Sequence, residues 1–304
     1  MKKRKLRELL KMPLDEVIAQ ADHVRRERVH GDMEFCGIVN AKSGMCGEDC
    51  GFCAQSSRNP SGSGVYPLID CDRILQIARK AVDAGAQRVG IVTSGNSLTG
   101  KEIELVSSAI KRFSECGILP CASLGKISLE RLDHLMSAGL RRYHHNIETS
   151  ERFFPRVVTT HSYKDRIRTI LTVKSAGLEI CSGGIFGLGE TWEDRIDMAL
   201  ELKELEVDSV PINFLVPIEG TPMGKRTVMS APEALRIIAI FRIVLGKTPI
   251  KVAAGREPVL KDLQKMIFSA GANGMMVGGY LTVPGAGDTC DRALIREVAL
   301  SWGR

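Results

Sequence analysis

Hydrophobic positions recur along this chain in two alternating rhythms. Leu6, Leu9 and Leu10, then Val17, Ile18, Ala21 and Val24, keep helical spacing from Leu6 to about Val29, and Pro13 divides the run into two helices. From Phe35 to Ala41 the period changes to two, which places Cys36, Ile38 and Asn40 on one face of a strand. Asp72 then reads as the cap of a helix carrying Ile74, Ile77, Ala78, Ala81 and Val82 on one stripe. Strands follow at Arg88–Thr93, Leu119–Ser123, Arg141–Asn146, Glu179–Gly183, Asp208–Leu215, Ile250–Ala254 and Asn273–Val277. Helices at Glu102–Cys116, Ser128–Ala138, Tyr163–Ala176, Thr191–Leu205, Ala231–Leu245, Pro258–Ala270 and Asp291–Ser301 separate or follow them.

Strand and helix alternate eight times, and Gly85, Gly117, Gly139, Gly177 and Gly271 each stand between a helix and the next strand, where a left-handed turn is wanted. The pattern predicts an α/β fold, a (β/α)8 TIM-type barrel over residues 33–290, with an N-terminal helical extension (1–32) and a C-terminal helix (291–304). An open doubly wound sheet is the other fold of this rhythm, but no GxGxxG and no Walker A motif opens a helix. Gly187–Thr191 reads equally as a weak phosphate loop or a tight turn.

Composition narrows the setting. The 304 residues carry a net charge of +6, much of it in Lys2, Lys3, Arg4, Lys5 and Arg7 with Arg25, Arg26 and Arg28 nearby. No apolar signal core follows this basic start and aromatics make up 5% of the chain, so it reads as a solvated helical face, not a nucleic-acid or membrane arm. No run of eighteen apolar residues is present. Nine cysteines without a signal peptide suggest a reducing, cytoplasmic setting and metal ligation.

Three of those cysteines, Cys46, Cys50 and Cys53, stand at CxxxCxxC spacing in a short loop after the first strand. A structural zinc site closes with four protein ligands, and an electron-carrying iron–sulfur cluster is usually held by four cysteines. Three on a cubane leave one iron open to a small molecule. A zinc knuckle completed by a distant ligand is the alternative. Cys71, Cys116 and Cys290 lack a partner at ligand spacing and read as incidental thiols, Cys290 alternatively as a lid residue. His23, His30, His134, His144, His145 and His161 form no HxxxH or HExxH pattern, and Met275-Met276 reads as barrel core.

The cysteine spacing, with Phe52 before the last thiol, resembles the radical S-adenosylmethionine (SAM) superfamily. Cys53–Arg58, Cys181–Thr191, Ala254–Glu257, His145–Ser150, Val210–Asn213 and Ala270–Asn273 together resemble the biotin synthases within it, in order from about Phe35 to Pro284. The resemblance implies a barrel enzyme that inserts sulfur into dethiobiotin. A 4Fe-4S cluster on Cys46, Cys50 and Cys53 would pass an electron to SAM, and the resulting 5'-deoxyadenosyl radical would take a hydrogen from the substrate. It implies that Asn146 and Asn213 hold the ureido ring, although strand-end amides also commonly satisfy backbone. Glu148, standing where the family often has Asp, would touch the SAM ribose. Phe52, Arg166, Ile185 and the turn at Gly187, Gly189 and Glu190 would line the same cofactor. A flavodoxin or ferredoxin would supply electrons, and whether the barrel pairs with a second copy is left open. A related radical enzyme of metallocofactor maturation is the alternative.

The family's second, auxiliary cluster is usually 2Fe-2S on three cysteines and an arginine. Cys121, Cys181 and Arg256 match three of those ligands, while Gly90 stands where the family has the third cysteine. Cys36 is the candidate replacement, in one barrel layer with Cys121, Cys181 and Arg256, and a small buried hydrophobe is its other reading. The moved ligand leads to the expectation of a four-iron cluster with an extra, exchangeable sulfide. About 15–20 Å would separate it from the triad along the strand, at roughly 3.3 Å per residue.

Overall fold

A computed structural model of the chain describes residues 3–29 and 33–301; Lys2 and His30 lie outside the described residues. Among the described residues nine strands, all paired in parallel, form one sheet: β1 (Glu34–Lys42), β2 (Arg88–Thr93), β3 (Leu119–Ser123), β4 (Arg142–His144), β5 (Glu179–Cys181), β6 (Gly184–Phe186), β7 (Val210–Phe214), β8 (Ile250–Val252) and β9 (Gly274–Met276). Their order is β5-β4-β3-β2-β1-β9-β8-β7-β6. The two ends of that series are neighbours in the chain. His145 and Ile147 donate backbone N–H groups to Cys181 and Gly183, while Ser182 donates to Ser209 and Ile185 to Glu148. β5 and β6 are therefore the two halves of one kinked strand, and they close the sheet into an eight-stave barrel of the TIM type.

Glycine makes that closure possible. A Cβ on Gly183 would lie 1.9 Å from the Pro211 carbonyl oxygen, and one on Gly184 would lie 2.2 Å from that of Glu148. The sequence reading ended this strand at Gly183; the missing side chains instead let it continue between two close neighbours.

Alternation along β1 shows how the barrel is filled. Phe35, Val39 and Ala41 are buried against the surrounding helices, each large apolar side chain contributing about 1.5–3 kcal/mol. A Cβ on Gly37 would lie 2.6 Å from Cβ of Ala81, so the helix Cys71–Asp83 packs directly on this strand. The alternate residues of β1 belong to the other face, where Cys36 and Ile38 line a central cavity. The cap of the Cys71–Asp83 helix is Asp70, whose side chain accepts from the Arg73 N–H; Asp72 falls inside the first turn and instead pairs with Arg112.

The two N-terminal helices, Lys3–Lys11 and Leu14–Arg28, bury Leu6, Leu9, Val17 and Ala21 against the barrel. Arg7 and Lys3 are not free in solvent: Arg7 pairs with Glu193 at 2.6 Å and Lys3 with Asp197 at 2.5 Å, on the acidic helix Trp192–Glu204. The helix expected over Pro258–Ala270 is three short pieces, Arg256–Leu260, a 3-10 turn at Lys261–Leu263 and Met266–Ser269. The last helix begins at Asp288, three residues earlier than expected.

Candidate active site

The barrel encloses a cavity of about 420 Å³, within the ordinary size for a small-molecule site. Its mouth is built from the loop after β1. Cys46, Cys50 and Cys53 border the cavity with Phe52 and Gln55. Backbone bonds hold the loop: Cys46 N–H donates to Gln55, Cys53 to Cys50, and Gly51 to Val157. Asn59 donates to the Cys50 and Cys53 carbonyls, and the Asp49 carboxylate accepts the backbone N–H groups of Thr159 and Thr160. Burial pushes the Cys50 and Cys53 thiols up, and the Arg166 charge opposes this at Cys50.

Among the described residues, no three His, Cys, Asp or Glu side chains close on a point that a single ion would fill. Three thiols on one loop at a cavity edge fit a larger iron–sulfur centre, and on binding it these thiols would lose their protons.

Below the mouth lie Asn146, Glu148, Arg166, Ile185 and Asn213, all on the cavity wall. Asn146 accepts from Gly183 N–H at 3.0 Å and donates to Glu148 at 3.3 Å. Asn213 donates to the Gly184 carbonyl at 3.1 Å and accepts from Ala254 N–H at 3.2 Å. Both amides thus hold backbone while facing the cavity, and each retains a spare N–H and a spare lone pair. Glu148 is held in left-handed backbone, φ +69°, an uncommon conformation for a residue with a side chain. Its carboxylate faces Arg166 at 3.5 Å, while Arg166 also donates to the Asn146 carbonyl at 2.9 Å.

Gly187, Gly189 and Glu190 were expected on this wall, and the structure does not bring them there. The Glu190 carboxylate is buried behind it, accepting from Gly187 N–H at 3.0 Å and from Arg195 at 2.8 Å. Arg226 covers Gly189, with a guanidinium nitrogen 2.5 Å from where a Cβ would stand. The turn starts the helix Trp192–Glu204 and supports the wall from outside.

Deeper in, Cys36, Cys121 and Cys181 all line the same cavity. Burial pushes the Cys121 thiol up with Cys181 and Cys36 adding, and burial pushes the Cys36 thiol up, opposed by the Lys251 charge. Burial also opposes ionisation of Cys181, yet a hydrogen bond from His144 and the charges of His144, Lys251 and Arg142 draw it down. Gly90 pairs with Ile38 on one side and Cys121 on the other, so β2 passes between the thiol-bearing strands without a donor side chain at that level.

Arg256 is not in this layer. Gly255, at φ +83°, turns the chain out of the barrel, and Arg256 opens the following helix buried against Asp291, Glu257 and Gln264. The cation at the thiols is Lys251 on β8, whose Nζ lies 3.2 Å from Cys36 Sγ. Sequence reasoning missed it together with Glu34, Arg88 and Arg142, which surround the same end, and it gave His144 no ligand role. The available signal was parity: Lys251 is a lone charge between Ile250 and Val252, and Arg256 is out of phase with it. Sequence reasoning also missed Tyr280, Leu281, Thr282 and Val283, a strap on the cavity wall. Asn40 donates to the Leu281 carbonyl, Tyr280 to Glu257, and Gly278 N–H to Asp291, so the Arg256–Asp291 pair anchors this strap.

A closed parallel barrel with a three-thiol loop at its mouth defines a radical SAM enzyme, and a model of the radical SAM superfamily matches residues 42–202. A second model, the biotin and thiamin synthesis associated domain, matches residues 211–301. Biotin synthases from Thermotoga petrophila and Thermotoga neapolitana are 49% and 52% identical, over 96% and 86% of this chain and 97% and 95% of theirs. The chain belongs to the biotin synthase family. Among solved structures, methylornithine synthase shares the fold at a TM-score of 0.81 and 20% identity, covering 97% of this chain and 92% of its own. The hydrogenase maturase HydG from Carboxydothermus hydrogenoformans shares it at 0.77 and 17%, over 99% and 78%.

Proposed function

We propose that this chain forms biotin by radical insertion of sulfur into dethiobiotin, using two iron–sulfur centres at opposite ends of one cavity. The observation that carries the reading is the shared wall: Cys46, Cys50 and Cys53 border one end, Cys36, Cys121 and Cys181 the other, with Asn146, Glu148 and Asn213 between. When bound, a 4Fe-4S cluster with SAM supplies the hydrogen-abstracting radical, and the auxiliary cluster supplies the sulfur. A flavodoxin or a ferredoxin delivers the electron.

The residues do the rest. Asn146, just past β4, and Asn213, on β7, are both fixed by backbone and present amides suited to a cyclic urea. Glu148 and Arg166 form a charged edge beside Cys50, positioned to accept ribose hydroxyls and to hold a carboxylate. The closed wall excludes water from a carbon radical and keeps its sulfur partner within reach.

For the lower centre, three thiols and Lys251 replace the expected set with Arg256. The empty position at Gly90 and the thiol at Cys36 support a four-iron cluster with an exchangeable sulfide in place of the common two-iron one. Mössbauer spectra of anaerobically reconstituted protein test this, and a clean two-iron signal at the lower site would exclude it.

The function is tested by anaerobic incubation with SAM, reductant and dethiobiotin, read by mass spectrometry. Wild type yields 5'-deoxyadenosine and biotin, whereas Cys121→Ala yields the first without the second. Undiminished biotin from Cys121→Ala and Cys181→Ala would refute the lower site. 5'-Deoxyadenosine without biotin in wild type would favour a maturation-type reaction.

A further inference from the structure

The closed end of the cavity holds more buried charge than a barrel core needs. Glu34, the first residue of β1, directs Oε1 at Lys251 Nζ, at Arg142 Nη1 (2.6 Å) and towards Arg88 Nε (3.7 Å). The same oxygen lies 3.4 Å from Cys36 Sγ. Glu179, half in solvent, takes the far side of Arg142 at 2.7 Å and faces Arg88 at 3.7 Å. Lys251 reaches Glu34 across β9 only because Gly274 lies between them. A Cβ there would stand 2.2 Å from the Glu34 carbonyl oxygen and 3.0 Å from Lys251 Cγ.

Three cations against two carboxylates, one of them water-exposed, leave a positive surplus facing three thiols. Arg88 Nε and Nη1 are buried with no hydrogen-bond partner among the described residues. Ions buried this deeply cost several kcal/mol each unless paired, so the surplus calls for an anionic occupant. Without an acceptor oxygen at position 34, Lys251 and Arg142 would repel one another away from the thiols; a glutamine keeps that oxygen and loses only the charge.

We infer that Glu34 is a positioning residue of the lower centre: it gathers Lys251, Arg142 and Arg88 beneath Cys36, Cys121 and Cys181 and sets the charge that the cluster's sulfur atoms meet. This rests on the lower-centre reading above. Its mark is opposite electrostatic effects from the two partners of one ion pair. Glu34→Gln keeps the shape and removes a negative charge, which favours the reduced cluster. Lys251→Gln removes a positive charge and favours the oxidised one.

The test uses the full chain with Cys46, Cys50 and Cys53 changed to alanine, so that only the lower centre loads, with iron and sulfide assays and a spectroscopically monitored redox titration. The midpoint is expected to rise in Glu34→Gln and fall in Lys251→Gln. Parental midpoints in both, or shifts of the same sign, would overturn the inference. If Glu34→Gln retains no iron, Lys251→Gln and Lys251→Arg decide: a fall in the first with a parental value in the second upholds it, and parental values in both overturn it. A parent that binds no iron removes the lower centre itself, a different failure from this one.

Discussion

Gly90 permits a direct test of the barrel layer on which the chemistry depends. A Cβ at Gly90 would lie 3.5 Å from Ile38 Cγ2 and 3.9 Å from Cys121 Cβ, both ordinary contacts, so Gly90→Cys should fold without strain. Replacing glycine inside a strand contributes about 0.5–1 kcal/mol on its own. The 3.9 Å spacing also falls among the Cβ separations that a disulfide bridges. Mild oxidation of the metal-free variant should therefore join the new thiol to Cys121. Closing a loop of roughly 30 residues stabilises by about 3.6 kcal/mol, or about 5–6 °C in melting temperature for a protein of 304 residues. The assay compares thermal melts with and without reductant, with peptide mapping to identify the bond. Under anaerobic reconstitution, Gly90→Cys combined with Cys36→Ser should bind two irons at the lower site. In Gly90→Cys, no crosslink from position 90 to Cys121 and no redox-dependent change in melting would show that these side chains do not share the interior face.

Arg256→Met should break a buried pair with Asp291, at about 3–5 kcal/mol, and speed hydrogen exchange over residues 278–291 while the lower centre keeps its iron. Iron loss with an unchanged exchange pattern would return Arg256 to the cluster. Glu148→Gly should leave stability equal or higher, because it relieves a left-handed backbone, yet weaken SAM binding measured by equilibrium dialysis; unchanged affinity would count against the assigned role. Burial holds the His145 imidazole well below its usual range, so the unfolded chain takes up a proton near pH 6.5 that the folded chain refuses. Stability should therefore fall by roughly 1.4 kcal/mol per pH unit below about 6.5 from this residue, and His145→Asn should flatten that slope in denaturant titrations.

How far the sequence reveals this molecule depends on which signal each feature carries. β2 and β3 and the helix Ala231–Leu245 are found to the residue, because periodicity and flanking turns agree there. Gly85, Gly117, Gly139, Gly177 and Gly271 all adopt positive φ as expected of residues that end helices. The kinked stave of β5 and β6 was hidden because its cause is a close approach distant in sequence, that of Gly183 to the Pro211 carbonyl, which any side chain would block. The family match singled out Cys121 and Cys181 and strand alternation added Cys36, and all three line the one cavity. Arg256 was misplaced because the family match and the count of alternate strands both put it in the thiol layer, whereas a left-handed turn at Gly255 sends it outward. The Tyr280–Val283 strap had no periodicity to reveal it, since its contacts with Asn40 and Glu257 span long distances in the chain.

The ion-paired floor has a kinetic consequence. A vessel sealed below must be filled and emptied from above, so whatever sits near Cys36 and Cys121 has to arrive before anything settles at the Cys46 loop, and leave after it. Compulsory order follows from shape alone: saturating SAM should slow the escape of dethiobiotin already seated, and excess dethiobiotin should leave the escape of SAM untouched.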